Sequence, residues 1–599
     1  MADQLKRSEA PLALTWNLQD LFETPADFAA ALADLKQLGA DLATQADEFT
    51  KDGDHFLKAV RDYFNALVKL TRAYLYAELE NAQDTTDATG LQDWADVQAV
   101  GTAFDQATAW FAPAIVALDE ATLTEFQNNT PELADYARQL AKIRTQVGHV
   151  LPQEQEALLA QLSSSLNSAG AIQETLDDSD LTFGQIDYDG KTQALTKGLM
   201  GPIATSAPRD VRRIASKQFQ TSYYDHRFTF AKTLNDHMHA QNTIAKIRHY
   251  DSARQMDLAA NAVPESVYDT LIEQTHAHLD LLHRYYALRK KVLGLDPMYG
   301  YDGSVPLTGK KPPIAPTYEE AKATALKALA PLGEDYLAHL RAEFNGRWVD
   351  VLETKGKTSG GFENFANGTH PYILLNWADT YGDMSTLVHE SGHAMQSVYS
   401  DENQLPWNSW YPIFTAEIAS TTNESLLNAY MLEQTKDDKE KQIYLLTEAV
   451  SDFTGTLYRQ AEFAEFEQFM YETEANGTPL TPETLTTKWD EIDAAYAGPA
   501  VTPNDWPKAY WAHIPHFFYN YYMYQYATSK AIATSFAHRI LTEGDAAAAQ
   551  YKQFLSAGDS QTPVDVLKNA GIDVTKADYL EEAFATFEAQ LSQLEALLS

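Results

Sequence analysis

The chain has 599 residues, 45% hydrophobic and 22% charged, which is an ordinary globular composition and long enough for one to three domains. Its 84 acidic residues outnumber the 45 basic ones and give a formal net charge of −39, so nucleic acid and anionic membranes are poor partners. The absence of cysteine excludes disulfides, thiolate metal sites and a cysteine nucleophile.

The opening residues contain no apolar signal-peptide core, and no uninterrupted apolar run reaches about 18 residues. We therefore expect a cytoplasmic protein with no membrane span.

Helix signals recur along the chain. Thr24-Pro25-Ala26-Asp27 offers an N-cap hydroxyl, a proline at the first helical position and a carboxylate at the third, and residues 562–565 repeat this pattern. After the first signal, Phe28, Leu32, Leu35 and Leu38 share one helical face. The sequence predicts a mainly α protein, with an N-terminal helical domain over 1–200 and a larger domain over 201–599.

Strand signals are few. Asp189-Gly190 lies between β-prone flanks and predicts a short hairpin within 181–196. Residues 371–377 form a short apolar run that follows the glycine-rich loop 355–370. This run has the length of a strand rather than of a helix. This run is predicted to be an edge strand that can pair with an extended peptide. It is expected to be the strand nearest the candidate metal site at residues 389–393, which is described next.

A metal-binding pattern stands at His389-Glu390-Ser391-Gly392-His393, which fits H-E-x-x-H. On a helix, residues four apart project from the same face, so both imidazoles can reach one zinc ion. Asp383 or Ser385 can cap that helix, and the glycine within it indicates close approach of another backbone. The alternative is two ordinary surface histidines with a salt-bridging glutamate.

A third ligand decides between these interpretations. Residues 411–432 are predicted to form the next helix, on which Glu417 and Glu424 are seven apart and share a face. Two histidines, one glutamate and a water form a known catalytic zinc geometry. Acidic residues on a helix are more often simply solvated.

The run from PYILLNW through HESGHAM to FTAEIASTTNESL resembles oligoendopeptidase F, among the thimet-oligopeptidase-like zinc metallopeptidases. WNLQDLF (16–22) and the segment 554–574 resemble the N- and C-terminal signatures of that family. The resemblance implies one zinc per chain held by His389, His393 and Glu417. It also implies a helical fold with a deep substrate channel, a small β-sheet near the active site, and cleavage of short peptides rather than folded proteins.

The catalytic roles follow from the chemistry and the resemblance. Glu390 is placed to take a proton from a zinc-bound water and to pass it to the leaving amine. Glu424 is a candidate to orient a ligand imidazole through its free N–H, with an ordinary helix salt bridge as the equal alternative.

An oxyanion donor is also needed. The segment 513–527 is rich in tyrosine, and such a run is usually core packing. By resemblance we favour His516, with Tyr524 and then Tyr522 as phenolic donors, and His513 as the competing histidine.

The resemblance, together with these patterns, implies a cytoplasmic zinc endopeptidase for short unstructured peptides, as a monomer or homodimer. One alternative is a zinc carboxypeptidase or dipeptidyl carboxypeptidase, which needs a cation for the substrate carboxylate, such as Lys355 or Lys357. The other is a non-enzymatic helical binding protein.

Overall fold

The structure is a computed structural model that describes residues 5–309 and 312–599. The protein is mainly helical with a few short strands, as the sequence predicts. No helix in the described part of the chain combines the length and the apolar character needed to cross a membrane.

Twenty-five α-helices are found in the described residues. They are α1 (Pro25–Ala43), α2 (Gly53–Gln83), α3 (Ala88–Thr108), α4 (Phe111–Ala117), α5 (Glu120–Asn129), α6 (Ala137–Arg144), α7 (Gln153–Leu166), α8 (Ser168–Thr175), α9 (Lys197–Ser206), α10 (Arg209–Asp225), α11 (Arg227–Ile247), α12 (Ala253–Ala260), α13 (Glu265–Ala277), α14 (Leu279–Val292), α15 (Tyr318–Ala328), α16 (Glu334–Asn345), α17 (Tyr381–Asn403), α18 (Ile413–Gln434), α19 (Lys439–Phe453), α20 (Arg459–Ala475), α21 (Pro482–Ala497), α22 (Met523–Glu543), α23 (Asp545–Leu555), α24 (Pro563–Asn569) and α25 (Asp578–Leu598).

Seven short strands form three small sheets within the same residues. They are β1 (Gln185–Tyr188), β2 (Lys191–Ala194), β3 (Met298–Tyr299), β4 (Val349–Leu352), β5 (Phe362–Asn364), β6 (Tyr372–Trp377) and β7 (Val501–Thr502).

The local signals read from the sequence are confirmed. Thr24 caps α1 by accepting the backbone N–H of Asp27, whose carboxylate accepts the N–H of Thr24 in return. Strands β1 and β2 pair antiparallel, and both Asp189 and Gly190 between them have positive φ, at 53° and 71°. These angles are those of the two-residue hairpin turn that the Asp-Gly pair predicts.

The described chain forms two compact units, each assembled from separate stretches of sequence. Unit 1 comprises residues 1–150, 314–431 and 536–572, and unit 2 comprises residues 151–313, 432–535 and 573–599. The units therefore do not follow the predicted linear division at residue 200, because the backbone passes repeatedly from one to the other.

The core of unit 1 joins its N-terminal helices to its sheet. Helices α1, α2 and α3 pack on one another around a buried cluster that includes Tyr372 and Leu374 of β6. Trp16 packs edge-on against Tyr372 with ring centroids 6.3 Å apart, and the Tyr372 hydroxyl donates to the carbonyl of Asn17. The segment 16–22 thus supports the strand on which the candidate site rests.

The sheet of unit 1 has the order β4-β6-β5, with β6 parallel to β4 and antiparallel to β5. Helix α17 packs against β5 and β6, so the predicted small sheet does lie beside the candidate metal site. The prediction that 371–377 is an edge strand is wrong, because the glycine-rich loop before it supplies β5 and pairs with its open side. The edge strand beside α17 is β5.

Unit 2 is also helical, with α11 packed on α20 and α19 on α25. It holds a cavity of about 1710 Å³ lined by parts of α14, α19 and α21 and by residues of the segments 298–312 and 498–510. None of the lining residues belongs to the candidate metal centre described below. Within its walls the buried guanidinium of Arg289 donates to the Tyr285 hydroxyl and to the carbonyl of Val305.

Candidate metal centre

Helix α17 carries the H-E-x-x-H pattern and begins earlier than its proposed caps. Thr380 is the N-cap: its hydroxyl oxygen accepts the N–H of Asp383 at 3.1 Å, and the Asp383 carboxylate accepts the N–H of Thr380 at 2.9 Å. The prediction of Asp383 or Ser385 as the cap is therefore wrong, because Asp383 is the third helical residue of a capping box. The apolar residues of this helix form a buried stripe: Met384, Leu387, Val388 and Met395 are at most 1% exposed, and Val398 is half-buried.

Gly392 sets the distance between the two helices of the centre. A β-carbon built on Gly392 would lie 2.6 Å from Cα of Ser420 and 2.7 Å from the carbonyl oxygen of Ala419, both on α18. Backbone atoms at this distance cannot move aside without moving the helix. The close approach that the sequence predicts at this glycine is confirmed.

We expect Gly392→Ala to push α17 and α18 apart and to weaken metal binding. Overpacking of this kind costs about 1–3 kcal/mol, which denaturant unfolding of the metal-free protein would measure. Gly382→Ala on the same helix is the matched control, because its β-carbon would meet only the Thr380 hydroxyl at 3.5 Å. Equal stability and equal zinc affinity in both variants would contradict the expectation.

The three predicted ligands come together in unit 1. Nε2 of His389 lies 3.4 Å from Oε2 of Glu417, and Nε2 of His393 lies 3.7 Å from the same oxygen. Among the described residues these three form the one histidine–carboxylate group whose candidate ligand atoms all lie within 4.8 Å of one another. Tetrahedral zinc with bonds of about 2.0–2.1 Å requires ligand atoms about 3.3 Å apart, so the three residues fit the ion.

The charges of the three side chains are strongly interdependent. Burial alone would lower the pKa of His389, but the carboxylates of Glu417 and Glu424 outweigh it and raise that pKa well above its usual value. Burial and the neighbouring His389 lower the pKa of His393 to about 4. Burial opposes ionisation of Glu417, yet its contacts with both histidines lower its pKa to about 2. His393 and Glu417 are thus held in the neutral and ionised forms that bind metal.

Glu424 contacts the other nitrogen of a ligand ring. Its Oε2 lies 3.4 Å from Nδ1 of His389, and its Oε1 accepts a hydrogen bond from the Ser385 hydroxyl at 3.2 Å. A carboxylate at Nδ1 fixes the ring so that Nε2 faces the metal position. The geometry therefore favours an orienting role for Glu424 over a simple salt bridge.

Glu390 is buried beside the ligands, with 6% of its surface exposed. A β-carbon on Gly361, the residue before β5, would lie 3.4 Å from Glu390 Oε1, so this carboxylate sits at the start of the edge strand. Burial raises the pKa of Glu390 to about 7; His389 opposes the shift, and Glu417 and Glu424 add to it. A carboxyl with a pKa near neutrality can both accept and return a proton.

The proposed oxyanion donors belong to unit 2, where they divide into two environments. The rings of His516 and Tyr522 stack with centroids 6.3 Å apart, and both side chains are half-buried. Burial lowers the pKa of His516, which keeps the ring neutral at pH 7. Tyr524 is fully buried and packs against Tyr268 with centroids 5.4 Å apart. A contribution of these residues to the chemistry stays a prediction.

His513, the competing histidine, is engaged within unit 2. Its Nδ1 lies 2.6 Å from the carbonyl oxygen of Tyr510, and its ring packs against Tyr510 and Phe219. Burial lowers its pKa to about 4. These contacts favour His516 over His513 as the histidine available to a substrate.

Sequence reasoning missed two carboxyl groups that contact α17 from outside the motif. Glu343 on α16 lies 2.6 Å from the Ser391 hydroxyl, and Glu363 on β5 lies 2.9 Å from the Ser397 hydroxyl. The Ser397 hydroxyl is in turn 2.9 Å from that of Tyr411. Neither glutamate carries a local sequence signal, because each meets α17 only through the tertiary fold.

A helical chain in which an H-E-x-x-H helix faces a glutamate of the following helix defines a metal-dependent peptidase. Comparison with known proteins agrees: the model of peptidase family M3 matches residues 203–586, and an Oligopeptidase F model matches residues 115–183. This chain belongs to peptidase family M3. The two matched ranges are separated by residues 184–202, and the domain division at residue 200 stays a prediction.

Several oligopeptidases are similar to this chain over most of its length. The chain is 39% identical to oligopeptidase PepF of Bacillus subtilis (strain 168), over 100% of this chain and 89% of that protein. It is 36% identical to the plasmid-encoded oligoendopeptidase F of Lactococcus lactis subsp. cremoris, over 99% and 98% of the two chains. The crystal structure of oligoendopeptidase F from Enterococcus faecium superposes with a TM-score of 0.75 at 34% identity, covering 96% of this chain and 99% of that one.

Proposed function

We propose that this protein is a zinc-dependent endopeptidase of the oligoendopeptidase F type, which hydrolyses internal bonds of short unstructured peptides with one zinc ion per chain. The observation that carries the proposal is the convergence of His389, His393 and Glu417 on one point, with Glu390 buried beside them. The printed names of its relatives, oligopeptidase and oligoendopeptidase, support the substrate class.

The residues divide the work of hydrolysis among them. A zinc ion bound by the three ligands would polarise the scissile carbonyl and make the attacking water more acidic. Glu390 removes a proton from that water as its oxygen bonds to the carbonyl carbon. Glu390 then gives the proton to the amine nitrogen as the C–N bond breaks, so the carboxylate is regenerated. Glu424 keeps the ring of His389 aligned throughout.

Strand β5 is the proposed docking edge for the substrate backbone. It lies at the outer side of the three-stranded sheet and follows Gly361, which is close to Glu390. An extended peptide added to this edge gains main-chain hydrogen bonds that do not depend on its side chains. The loop before β5 is held in place, because the Asn376 amide donates to the carbonyls of Thr358 and Gly360 at 2.9 Å.

Tyr522 is half-buried whereas Tyr524 is fully buried, so we place Tyr522 before Tyr524 as the phenolic donor, which reverses the order that the resemblance favours. We expect Tyr522→Phe to lower kcat about tenfold or more. Tyr524→Phe is the matched control: the same hydroxyl is removed from a side chain enclosed within unit 2. Steady-state kinetics on one quenched peptide would compare them. A larger loss of kcat in Tyr524→Phe would reverse this assignment.

The carboxypeptidase alternative is weakened by the state of its candidate cations. The Lys357 ammonium is fully buried, pairs with Asp350 at 2.7 Å and donates to the carbonyls of Leu352 and Leu375. These contacts hold the loop against the sheet and leave the Lys357 ammonium buried, where it cannot bind a substrate carboxylate. Lys355 is exposed, so its side chain is not held in one position. Neither lysine of this segment is therefore placed to bind the terminal carboxylate of a substrate.

The test of the proposed function is peptide mapping by mass spectrometry on a mixed-length library, with and without a metal chelator. We expect cleavage at internal bonds, loss of cleavage with chelator and recovery on adding zinc. A C-terminally amidated peptide should be cut at a rate within about threefold of its free-acid form, since binding to the strand edge does not use the terminal carboxylate. Selective loss of the amidated substrate would favour the carboxypeptidase instead.

A further inference from the structure

Glu343 is a buried carboxyl group that the proposed mechanism does not use. It lies on α16 with 1% of its surface exposed, and its Oε1 is 2.6 Å from the hydroxyl oxygen of Ser391. Ser391 stands between the two histidines of the H-E-x-x-H turn. Glu343 therefore touches the metal-binding helix between its two ligands.

No positive charge neutralises Glu343. Among the described residues it forms no ion pair, and it interacts electrostatically with four acidic groups: Glu390 on α17, Glu363 on β5, Tyr318 on α15 and Tyr336 on its own helix. An ionised carboxylate buried among acids is costly, so such a group takes up a proton. Burial raises the pKa of Glu343 to about 8; the hydrogen bond with Ser391 opposes the shift, and the charge of Glu390 adds to it.

The hydrogen-bond geometry points to the same protonation state. The Ser391 hydroxyl oxygen is 2.7 Å from the carbonyl oxygen of Leu387 as well as 2.6 Å from Glu343. A carbonyl oxygen can only accept, and a serine hydroxyl has one proton to donate. Ser391 has one proton to share between these two acceptors if Glu343 is ionised. Both short contacts become full two-centre hydrogen bonds when Ser391 donates to Leu387 and a protonated Glu343 donates to Ser391.

Helix α16 also contacts the helix that carries the third ligand. Seven residues before Glu343 on the same face, the buried Tyr336 hydroxyl donates to Oδ1 of Asn423 on α18 at 2.9 Å. The Asn423 amide donates in turn to the carbonyl of Val388 on α17 at 3.2 Å. Helix α16 thus forms hydrogen bonds with both ligand-bearing helices, α17 and α18.

We propose that Glu343 is a positioning residue for the metal centre, a neutral carboxylic acid that donates to Ser391 and so fixes the turn between His389 and His393. This inference rests on the proposed zinc site. A neutral group in this place adds no further negative charge beside Glu390, while its short hydrogen bond still holds the turn.

The test compares Glu343→Gln, which keeps a neutral donor of the same shape, with Glu343→Met, which keeps the volume without the hydrogen bond. Zinc affinity is measured by competition with a fluorescent chelator on the full-length protein. We expect the Gln variant to bind zinc within about threefold of the native protein and the Met variant to bind about 10–100-fold more weakly. Glu334→Gln, an exposed position on the same helix, is the control and should leave affinity unchanged.

Two readouts separate positioning from general support of the fold. Infrared spectra of the native protein near pH 7 should contain a C=O stretch of a buried carboxylic acid that Glu343→Gln removes. If Glu343→Met fails to fold, Ser391→Ala removes the other partner and should weaken zinc binding to a similar degree. Unchanged zinc affinity in these variants, or a Gln variant as weak as Met, overturns the inference. Failure of the native protein to bind zinc overturns the proposed function as well.

Discussion

Glu390→Gln should lower kcat about 10²–10⁴-fold while zinc stays bound, because the amide keeps the shape of the side chain but cannot accept the proton of the attacking water. KM should change little, since the mutation removes a group that acts in the chemical step rather than in binding. Single-turnover peptide cleavage and metal analysis of the same preparation would test both statements. Retention of more than about a tenth of the native kcat would remove Glu390 from its proposed role.

Loss of folding cannot account for that result. The pKa of Glu390 is raised on folding, so its ionisation destabilises the metal-free protein as pH rises from its unfolded value, about 4.3, through its folded value, about 7. Removing the charge therefore leaves the variant at least as stable as the native protein at pH 8, which thermal unfolding would show. Glu402→Gln, an exposed position near the end of α17, is the matched control and should keep full activity.

Glu417→Ala should abolish stoichiometric zinc binding and, with it, peptidase activity. The two imidazoles keep their places on α17, but the carboxylate oxygen 3.4 Å and 3.7 Å from their Nε2 atoms is lost. A chelating pair of neutral histidines lacks the charge and the third ligand that a catalytic zinc site uses. Metal analysis after dialysis should find less than one zinc per ten chains at a free zinc concentration that saturates the native protein, a tenfold loss or more.

The variant Glu424→Gln tests whether Glu424 is itself a metal ligand or a group that orients the His389 ring. Its carboxylate faces Nδ1 of His389 rather than the shared metal position. Its removal should weaken zinc binding by about 10–100-fold and leave the stoichiometry intact at high zinc concentration. If Glu424→Gln loses zinc completely while Glu417→Ala retains it, the two residues exchange roles.

Features that depend on neighbouring residues could be predicted from the sequence. The cap at Thr24, the Asp189-Gly190 turn and the spacing of His389 and His393 are each decided within a few residues, where backbone geometry relates sequence to position directly. The close contact at Gly392 could be anticipated, because glycine destabilises a helix interior and usually stands there where another backbone packs closely.

Features that depend on long-range packing could not. Strand β5 has three residues, too few to show a periodic pattern, so no local signal indicates that it pairs with the outer side of β6. Glu343 reaches Ser391 across 48 positions, and a glutamate on a helix normally faces solvent. The composition of the two units likewise depends on which segments pack together, which no local signal encodes.

The three-part construction of unit 1 has a consequence for biosynthesis. Helix α17 packs against β6, which is supported by Trp16. The Tyr551 hydroxyl of α23 donates to the carbonyl of Ala419 on α18. All three segments of unit 1 must therefore have been synthesised before the candidate ligand helices are enclosed. A nascent chain that ends before Tyr551 would lack this contact with α18, so the candidate ligands are fully supported only after the third segment of unit 1 has been made.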